Sequence, residues 1–173
     1  EVGAEGEPEE DPNAAEVRHI LGKYKVPRIA AILKEELQDG QCPKVVVLAY
    51  HRASLDIFRK ELAPFGVTGF DGSTPVPARQ AAINAFTKDP KVRVFVGQQT
   101  AAGTGVNLQV ASEIVLAEPD WSPGPNAQAI KRVHRIGQDS PCRARIFGVR
   151  DTLDESLMQT VANKMRMHRD VGL

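Results

Sequence analysis

Apolar residues between positions 44 and 150 gather in short runs, and stretches with helical spacing separate these runs. Val45–Ala49 is apolar at all five positions, as expected of a strand buried on both faces of a sheet. Four further runs are short enough for strands and are bounded by turn residues: 67–70, 92–96, 114–117 and 143–149. The pattern therefore predicts five strands.

Helical spacing of apolar residues occupies the intervals between the predicted strands. Val26, Ile29, Leu33 and Leu37 recur at intervals of three or four before the helix-ending pair Asp39-Gly40. The same spacing predicts a helix that carries Leu55, Phe58 and Leu62 and ends at Gly66, and helices over 76–87, 126–136 and 153–168.

Strands that alternate with helices indicate parallel βαβ units with right-handed crossovers. We predict one α/β domain over residues 14–173, with a mostly parallel sheet between two helical layers. Residues 1–13 are acidic and carry too few apolar side chains for a core, so they are predicted to be a disordered tail. Ligands of such sheets bind beyond the carboxyl ends of the strands, where we expect the functional residues.

The composition is that of a soluble globular domain, with 42% hydrophobic and 25% charged residues in 173. No apolar run approaches the roughly 20 residues that span a bilayer, and no signal peptide is recognisable. The chain opens on Glu1 rather than Met, so we expect a piece of a longer protein. Two cysteines and four scattered histidines lack metal-ligand spacing, which predicts no zinc site and a reducing, intracellular location.

Charge is balanced in total but uneven along the chain. Lys and Arg number 22 and so do Asp and Glu, but residues 1–11 hold six acids and no base, which leaves +6 on the remainder. Six Lys or Arg lie from Lys131 to Arg150, against the single acid Asp139. Such a segment suits a polyanionic partner, and a solvated basic face is the alternative.

The most informative segment is QAIKRVHRIGQ, residues 128–138. If it is helical, Gln128, Arg132 and Arg135 share one face, because they are four and three residues apart. Two guanidinium groups that point the same way repel each other unless an anion lies between them, and arginine matches phosphate oxygens best. A solvated face is again the alternative, but the position after a strand and a Pro-rich loop favours an anion site.

This segment resembles motif VI of the Swi/Snf-type branch of helicase superfamily 2, whose pattern reads QAxxRxHRIGQ. Upstream segments resemble further motifs of that branch in the same order: 45–52 (motif IV), 71–74 (motif IVa), 101–112 (motif V) and 118–123, the acidic-Trp-Pro segment between motifs V and VI. Gln99-Thr100-Ala101-Ala102-Gly103 departs from the usual Thr-Arg-Ala-Gly-Gly, and Trp121-Ser122-Pro123 from Trp-Asn-Pro. The Thr-Ala-Ala form is more similar to the HepA-related, annealing-helicase branch and to bacterial and phage members.

The resemblance implies a RecA-like second lobe that contributes half of a composite ATP site. Arg132 and Arg135 correspond to arginine fingers that face the γ-phosphate of ATP on the first lobe, with Gln128 orienting them. Gly103 and Gly105 would let the backbone approach a phosphate, although a plain strand-to-helix turn is the alternative. ATP and Mg²⁺ would be held mainly by the first lobe.

Motifs IV, IVa and V of this branch line the groove for the DNA backbone. By resemblance, the candidate contacts are Tyr50, His51, Arg52, Ser73, Thr74 and Thr100. All follow predicted strands, where short polar side chains and backbone N–H groups reach phosphates. Each of them also fits an ordinary polar loop position.

No GxxxxGK[ST] loop and no acidic pair for Mg²⁺ occur in the chain. The resemblance therefore implies one lobe of an ATP-dependent translocase on double-stranded DNA, monomeric and inactive alone, with the N-terminal lobe of the same polypeptide as its partner. It would act in the nucleus of a eukaryote, or in the cytoplasm or nucleoid of a bacterium or phage host. The alternatives are a non-catalytic nucleic-acid or protein binding module, and a dinucleotide or nucleotide-sugar enzyme, whose GxGxxG is absent.

Overall fold

The computed structural model describes residues 12–102, 106–120, 122–134, 141–152, 154, 155, 158 and 159. Its elements in chain order are α1 (Pro12–Gln38), β1 (Val45–Ala49), α2 (Arg52–Glu61), a 3₁₀ turn (Ala63–Phe65), β2 (Val67–Thr68), α3 (Val76–Lys88), β3 (Val94–Gln98), α4 (Gln99–Ala102), β4 (Glu113–Leu116), α5 (Pro123–Ile130) and β5 (Arg143–Ile146). The five strands form one sheet in the order β2-β3-β1-β4-β5, and every pairing is parallel.

The sheet is centred on β1, the strand whose five residues are all apolar. Val45 pairs with Val94 of β3 on one side and with Glu113 of β4 on the other. Because the three strands are in step, β1 and β3 end together at Ala49 and Gln98, and β4 ends beside them. The polar residues that follow these strands therefore meet at one edge of the sheet.

Two hydrophobic clusters cover the two faces of the sheet, and β1 contributes to both by alternation. Val45, Val47 and Ala49 pack with buried residues of α1 and α2. Val46 and Leu48 pack with buried residues of α3 and α5. Each fully buried apolar side chain contributes about 1.5–3 kcal/mol to folding. The predicted three-layer α/β fold is confirmed.

Four of the five strands differ from their predicted bounds, and close packing explains the difference at β2. β4 lies one residue earlier than predicted, at Glu113–Leu116. β2 covers only two residues, because Gly69 follows with a φ of 146° and passes so close to β3 that a Cβ would lie 1.8 Å from the carbonyl oxygen of Val96. β3 begins two residues later than predicted and extends to Gln98. β5 ends at Ile146 rather than at residue 149.

The ends of the chain are described in part. α1 begins at Pro12, so the last two residues of the predicted acidic tail are helical, and residues 1–11 lie outside the described residues. Of the predicted helix over 153–168, residues 154, 155, 158 and 159 are described and have helical backbone. Among the helices in the described part of the chain, none combines the length and the apolar character needed to cross a bilayer.

Candidate nucleic-acid interface and ATP-site residues

The residues that follow β1, β2, β3 and β4 form what we call the carboxyl edge: 50–54, 69–75, 98–102 and 117–120. Its first loop follows β1 and is held by the carboxylate of Glu118, which comes two residues after β4. The backbone N–H groups of Tyr50 and His51 each donate to Oε2 of Glu118 at 2.9 Å. The hydroxyl of Ser54 donates to Oε1 at 2.9 Å, and Nδ1 of His51 lies 3.0 Å from the same oxygen.

Glu118 is 1% exposed, and its partners keep it ionised. Burial alone would raise the pKa of this carboxyl, but the hydrogen bonds from His51 and Ser54 and the charge of the imidazole hold the pKa below its ordinary value of 4.5. A buried carboxylate with four close donors is a rigid anchor. It fixes the start of α2 against the end of β4.

α1 passes directly over this anchor. A Cβ on Gly22 would lie 2.1 Å from Oε1 of Glu118, so only glycine permits the approach. The ring of His19 contacts the ring of His51 edge to face, with centroids 5.0 Å apart. The predicted nucleic-acid contact His51 is therefore half-buried between α1, Tyr50 and Glu118.

The loop after β2 is a turn from Asp71 to Thr74 that uses its own polar groups. Oδ1 of Asp71 accepts the N–H of Ser73 at 2.9 Å and its hydroxyl at 2.6 Å. The N–H of Asp71 donates to Oγ1 of Thr74, and the N–H of Thr74 donates to the carbonyl of Asp71. Arg79 of α3 ties the turn to the helix, donating to the carbonyls of Thr74 at 2.7 Å and Gly72 at 2.9 Å. The hydrogen bonds that Asp71 accepts from Ser73 lower the pKa of the Asp71 carboxyl, and the nearby charge of Arg52 lowers it further.

One part of the sequence prediction is wrong at these two loops. Backbone N–H groups were expected to reach phosphates, but those of Tyr50, His51 and residues 71–74 all donate within the protein. The carboxylates of Glu118 and Asp71, the side chains of Gln98 and Thr74 and the carbonyl of Asp71 accept these N–H groups. The side chains remain as candidate contacts: Arg52, Ser73 and Thr100 are exposed, while Tyr50, His51 and Thr74 are half-buried.

The side chain of Gln98 joins the two loops. Gln98 is the last residue of β3, between β1 and β2 in the sheet. Its Oε1 accepts the N–H of Gly72 at 2.9 Å, and its Nε2 donates to the carbonyl of Tyr50 at 3.1 Å.

A second polar connection joins α4, which carries Thr100, to the start of α5. Nε2 of Gln99 donates to Oδ1 of Asn126 at 2.7 Å, and both side chains are buried. Asn126 also accepts the N–H of Asp120 and donates to the carbonyls of Asp120 and Ser122. Asn126 therefore fixes the entry of the chain into α5.

The predicted helix over 126–136 ends earlier, so the continuous helix that would align Gln128 with Arg132 is not present. α5 ends at Ile130, and residues 131–133 form a turn in which Arg132 and Val133 donate to the carbonyls three residues before them. Val133 enters the core with no exposed surface, which favours this tighter turn. Gln128 is exposed on α5, whereas Arg132 is half-buried in the turn that follows the helix.

The turn at Arg132 is attached to the segment that follows the glycine loop. The N–H of Leu108 donates to the carbonyl of Arg132 at 3.1 Å. The predicted residues Gly103, Gly105 and Arg135 lie outside the described residues, as does Trp121. The hydrogen bond from Leu108 joins the described part of segment 101–112 to the described part of segment 128–138.

At the opposite end of the strands, Cys42, Glu36, Glu113, Arg143 and Arg145 form what we call the amino edge. Arg145 donates to both carboxylate oxygens of Glu36 at 2.7 Å and also contacts Glu113. Arg143 lies 2.9 Å from Glu113. Two of the six bases predicted to form an anion-binding segment are thus neutralised by the protein's own carboxylates.

The family model for the helicase conserved C-terminal domain matches residues 28–137, which include every candidate site residue named above. This chain belongs to that family.

Relatives of this helicase C-terminal domain include DNA repair protein rad8 of Schizosaccharomyces pombe, 32% identical over 155 residues, and DNA repair and recombination protein RDH54 of Saccharomyces cerevisiae, 31% identical over 134 residues. A Caenorhabditis elegans homologue of the SWI/SNF-related regulator of chromatin subfamily A-like protein 1 is 33% identical over 162 residues. The matches cover 88%, 76% and 92% of this chain, but only 14%, 14% and 22% of those proteins. The domain therefore corresponds to a small part of each relative.

The solved structure of the C-terminal part of the Fun30 ATPase domain has the same fold. It superimposes with a TM-score of 0.72 at 26% identity, over 86% of this chain and 54% of that one. The resemblance to a Swi/Snf-type second lobe is confirmed by these similarities. The branch within that group stays a prediction.

Three residues that hold the loops and helices of the carboxyl edge in place were not among the predicted site residues: Glu118, Gln98 and Asn126. Glu118 offered one signal, because a charge directly after a buried strand must find partners. Gln98 and Asn126 offered no such signal. The contacts by which they join separate elements reach partners at least 26 residues away for Gln98 and 27 for Asn126.

Proposed function

We propose that this domain is the C-terminal motor lobe of an ATP-dependent translocase on double-stranded DNA. In this proposal the carboxyl edge contacts the DNA backbone, and the turn at Arg132 contributes to an ATP site whose phosphate-binding loop belongs to an N-terminal lobe. The observation that carries the proposal is that all six candidate DNA contacts lie at one edge of the sheet. Glu118, Asp71 and Gln98 hold the two loops that carry five of them, and the bond from Gln99 to Asn126 holds α4, which carries Thr100.

The chemistry of the carboxyl edge suits a phosphate backbone. Arg52 supplies an exposed guanidinium, 61% exposed in its side chain, and Ser73 and Thr100 supply exposed hydroxyl groups. Donors of this kind position a protein on nucleic acid without reading bases. Such contacts suit a protein that moves along DNA, because every nucleotide offers the same phosphate.

The carboxylates of the same edge are engaged by the protein. Both oxygens of Glu118 accept protein donors, Oδ1 of Asp71 accepts Ser73, and Oδ1 of Asp120 accepts the N–H of Ser122 at 2.7 Å. Among the described residues of this edge, these carboxylates serve the protein's own hydrogen bonds. We therefore assign Mg²⁺, together with the phosphate-binding loop, to the N-terminal lobe.

The ATP half of the proposal is tested by Arg132→Ala in the full-length protein. A finger that stabilises charge on the transferred phosphoryl group is worth about 10³–10⁵ in rate, or roughly 4–7 kcal/mol. We expect DNA-stimulated ATP hydrolysis to fall by at least about 10³, with ATP and DNA affinities within about threefold of wild type. Arg135→Ala is expected to behave in the same way.

Lys131→Ala is the matched control, because Lys131 is an exposed base in the same turn. It should retain hydrolysis within about twofold. Weakened nucleotide binding with normal turnover in Arg132→Ala would contradict the finger role. Hydrolysis by this domain alone, measured as phosphate release with DNA present, would contradict the dependence on a second lobe. A full-length protein that binds DNA but shows no DNA-stimulated hydrolysis would instead be a non-catalytic binding module.

A further inference from the structure

The geometry points to Gln98 as a positioning residue that sets the spacing between the two DNA-contacting loops, 50–52 and 71–74. This role rests on the proposed function, because it concerns how the carboxyl edge engages a DNA backbone. In this role Gln98 does not contact DNA but acts through its hydrogen bonds with Tyr50 and Gly72.

Each loop is already rigid without Gln98. Glu118 holds the backbone of Tyr50 and His51, while Asp71 and Thr74 close the second turn and Arg79 attaches it to α3. Gln98 is different because its two hydrogen bonds join one loop to the other, where the exposed ion pair of Arg52 with Asp71, 3.8 Å between nitrogen and oxygen, is a weaker link. Its removal would therefore leave each loop intact and would loosen their relative position.

The cost of that removal to folding is small. Gln98 is half-buried, and its bond to the N–H of Gly72 is exposed, so water replaces the lost partner. The cost to DNA binding is larger, because two sets of donors that must meet phosphates of one backbone would no longer be preorganised. These opposite expectations separate a positioning role from a structural one.

Gly72 offers an independent way to disturb the same contact. A Cβ at this position would lie 3.3 Å from Oε1 of Gln98, and among the described residues no other heavy atom lies within 4 Å of it apart from chain neighbours. Gly72→Ala should therefore displace the amide of Gln98 by a few tenths of an ångström. In a protein that carries Gln98→Ala, the same substitution has no neighbour to displace.

The experiment compares Gln98→Ala, Gly72→Ala and the double variant in the full-length protein, with Gln80→Ala as the matched control. Gln80 is an exposed glutamine of α3 that bonds only within its own helix, to Asn84. The readouts are the concentration of a double-stranded DNA that half-maximally stimulates hydrolysis, the rate at saturating DNA, and the midpoint of thermal unfolding.

We expect Gln98→Ala to raise the half-saturating DNA concentration about tenfold, with the saturated rate within about twofold and the midpoint within about 2 °C of wild type. Gly72→Ala should raise the same concentration about threefold, and the double variant should match Gln98→Ala. Gln80→Ala should match wild type in all three measurements.

A half-saturating concentration that stays at the wild-type value in Gln98→Ala would overturn the inference, as would additive effects in the double variant. A Gln98→Ala protein that unfolds would also overturn it, because the side chain would then be structural. Wild-type protein without any DNA stimulation would overturn the proposed function itself, so the two failures are distinguishable.

Discussion

The strand β4 begins at one buried glutamate, Glu113, and a second, Glu118, lies two residues after its end; the two glutamates have different kinds of partner. Glu113 at the amino edge is 5% exposed and faces the guanidinium groups of Arg143 and Arg145. Glu118 at the carboxyl edge is 1% exposed and faces two backbone N–H groups, a hydroxyl and an imidazole. Both carboxylates have close partners, Glu113 in ion pairs with arginines and Glu118 mainly in hydrogen bonds with neutral donors.

The difference decides where the protein keeps cationic groups for an external anion. At the amino edge Arg145 is bound by two glutamates, and its side chain is 17% exposed. At the carboxyl edge the carboxylate is satisfied mainly by neutral donors, while Arg52 is 3.8 Å from its nearest carboxylate and largely exposed. A basic stretch of sequence is therefore a poor guide to an anion-binding surface, because the fold neutralises part of it.

The largest effect is expected from Glu118→Gln. The amide oxygen can accept the two backbone N–H groups, but the NH₂ group would face the hydroxyl of Ser54 and Nδ1 of His51, so these groups lose their acceptor and all four bonds lose the carboxylate charge. We expect the free energy of unfolding to fall by about 3 kcal/mol, measured by denaturant unfolding of the domain.

The pH dependence of that effect has a defined sign. The folded-state pKa of Glu118 lies below 4.5, so the carboxylate stabilises the fold fully above that pH and ceases to do so as pH falls through the folded-state pKa. The difference between wild type and variant should be constant near neutral pH and shrink in acid. A difference that grows in acid would contradict the assignment of an ionised Glu118.

A smaller loss of stability is expected from Arg145→Ala at the amino edge. The substitution leaves Glu36 without this bidentate contact and Glu113 with Arg143 alone, and we expect about 2 kcal/mol. DNA-stimulated hydrolysis in the full-length protein should be unchanged, because the amino edge lies at the other end of the strands. A large loss of DNA affinity with normal stability would show that the comparison between the two edges is mistaken.

Arg52→Ala should have the reverse profile. Its exposed ion pair with Asp71 contributes little, so stability should change by less than about 0.5 kcal/mol. DNA affinity should fall about three- to tenfold, and the slope of affinity against salt should decrease by about one unit. Arg59→Ala is the control, because Arg59 lies further along α2 and is paired with Asp56. This variant should leave the DNA affinity and its salt dependence at wild-type values.

The smallest effect concerns Cys42 at the amino edge. Burial, and then the neighbouring Glu113, raise the pKa of this thiol to about 12, so the reactive thiolate is scarce at neutral and mildly alkaline pH. Cys42→Ser should leave the number of thiols alkylated in the native protein unchanged and lower it by one in denaturant. If the native variant had fewer alkylated thiols than the native wild type, Cys42 would be accessible in the native protein, and the amino edge would open.

Several elements followed directly from local pattern. The five apolar residues of β1 specified a central strand, and the spacing of Leu55, Phe58 and Leu62 located α2 and the residue after it. The motif segments identified the family from residue identity alone. These features depend on neighbours within a few positions, which is why the pattern predicts them.

Other features depended on contacts between distant segments. The end of α5 at Ile130 reflects the burial of Val133 and the bond from Leu108 to Arg132, neither of which helical spacing reveals. The predicted use of backbone N–H groups failed because Glu118 lies 67 and 68 residues from the loop it occupies.

By itself, the sequence determined the α/β class, the central strand, the family and the set of polar residues that follow the strands. The tertiary structure decided which of those residues remain available, because strand order places β4 and β3 on either side of β1. That order puts Glu118 and Gln98 against the same loop from opposite sides. Hydrogen bonding between such distant residues depends on the packed sheet, and no local pattern contains it.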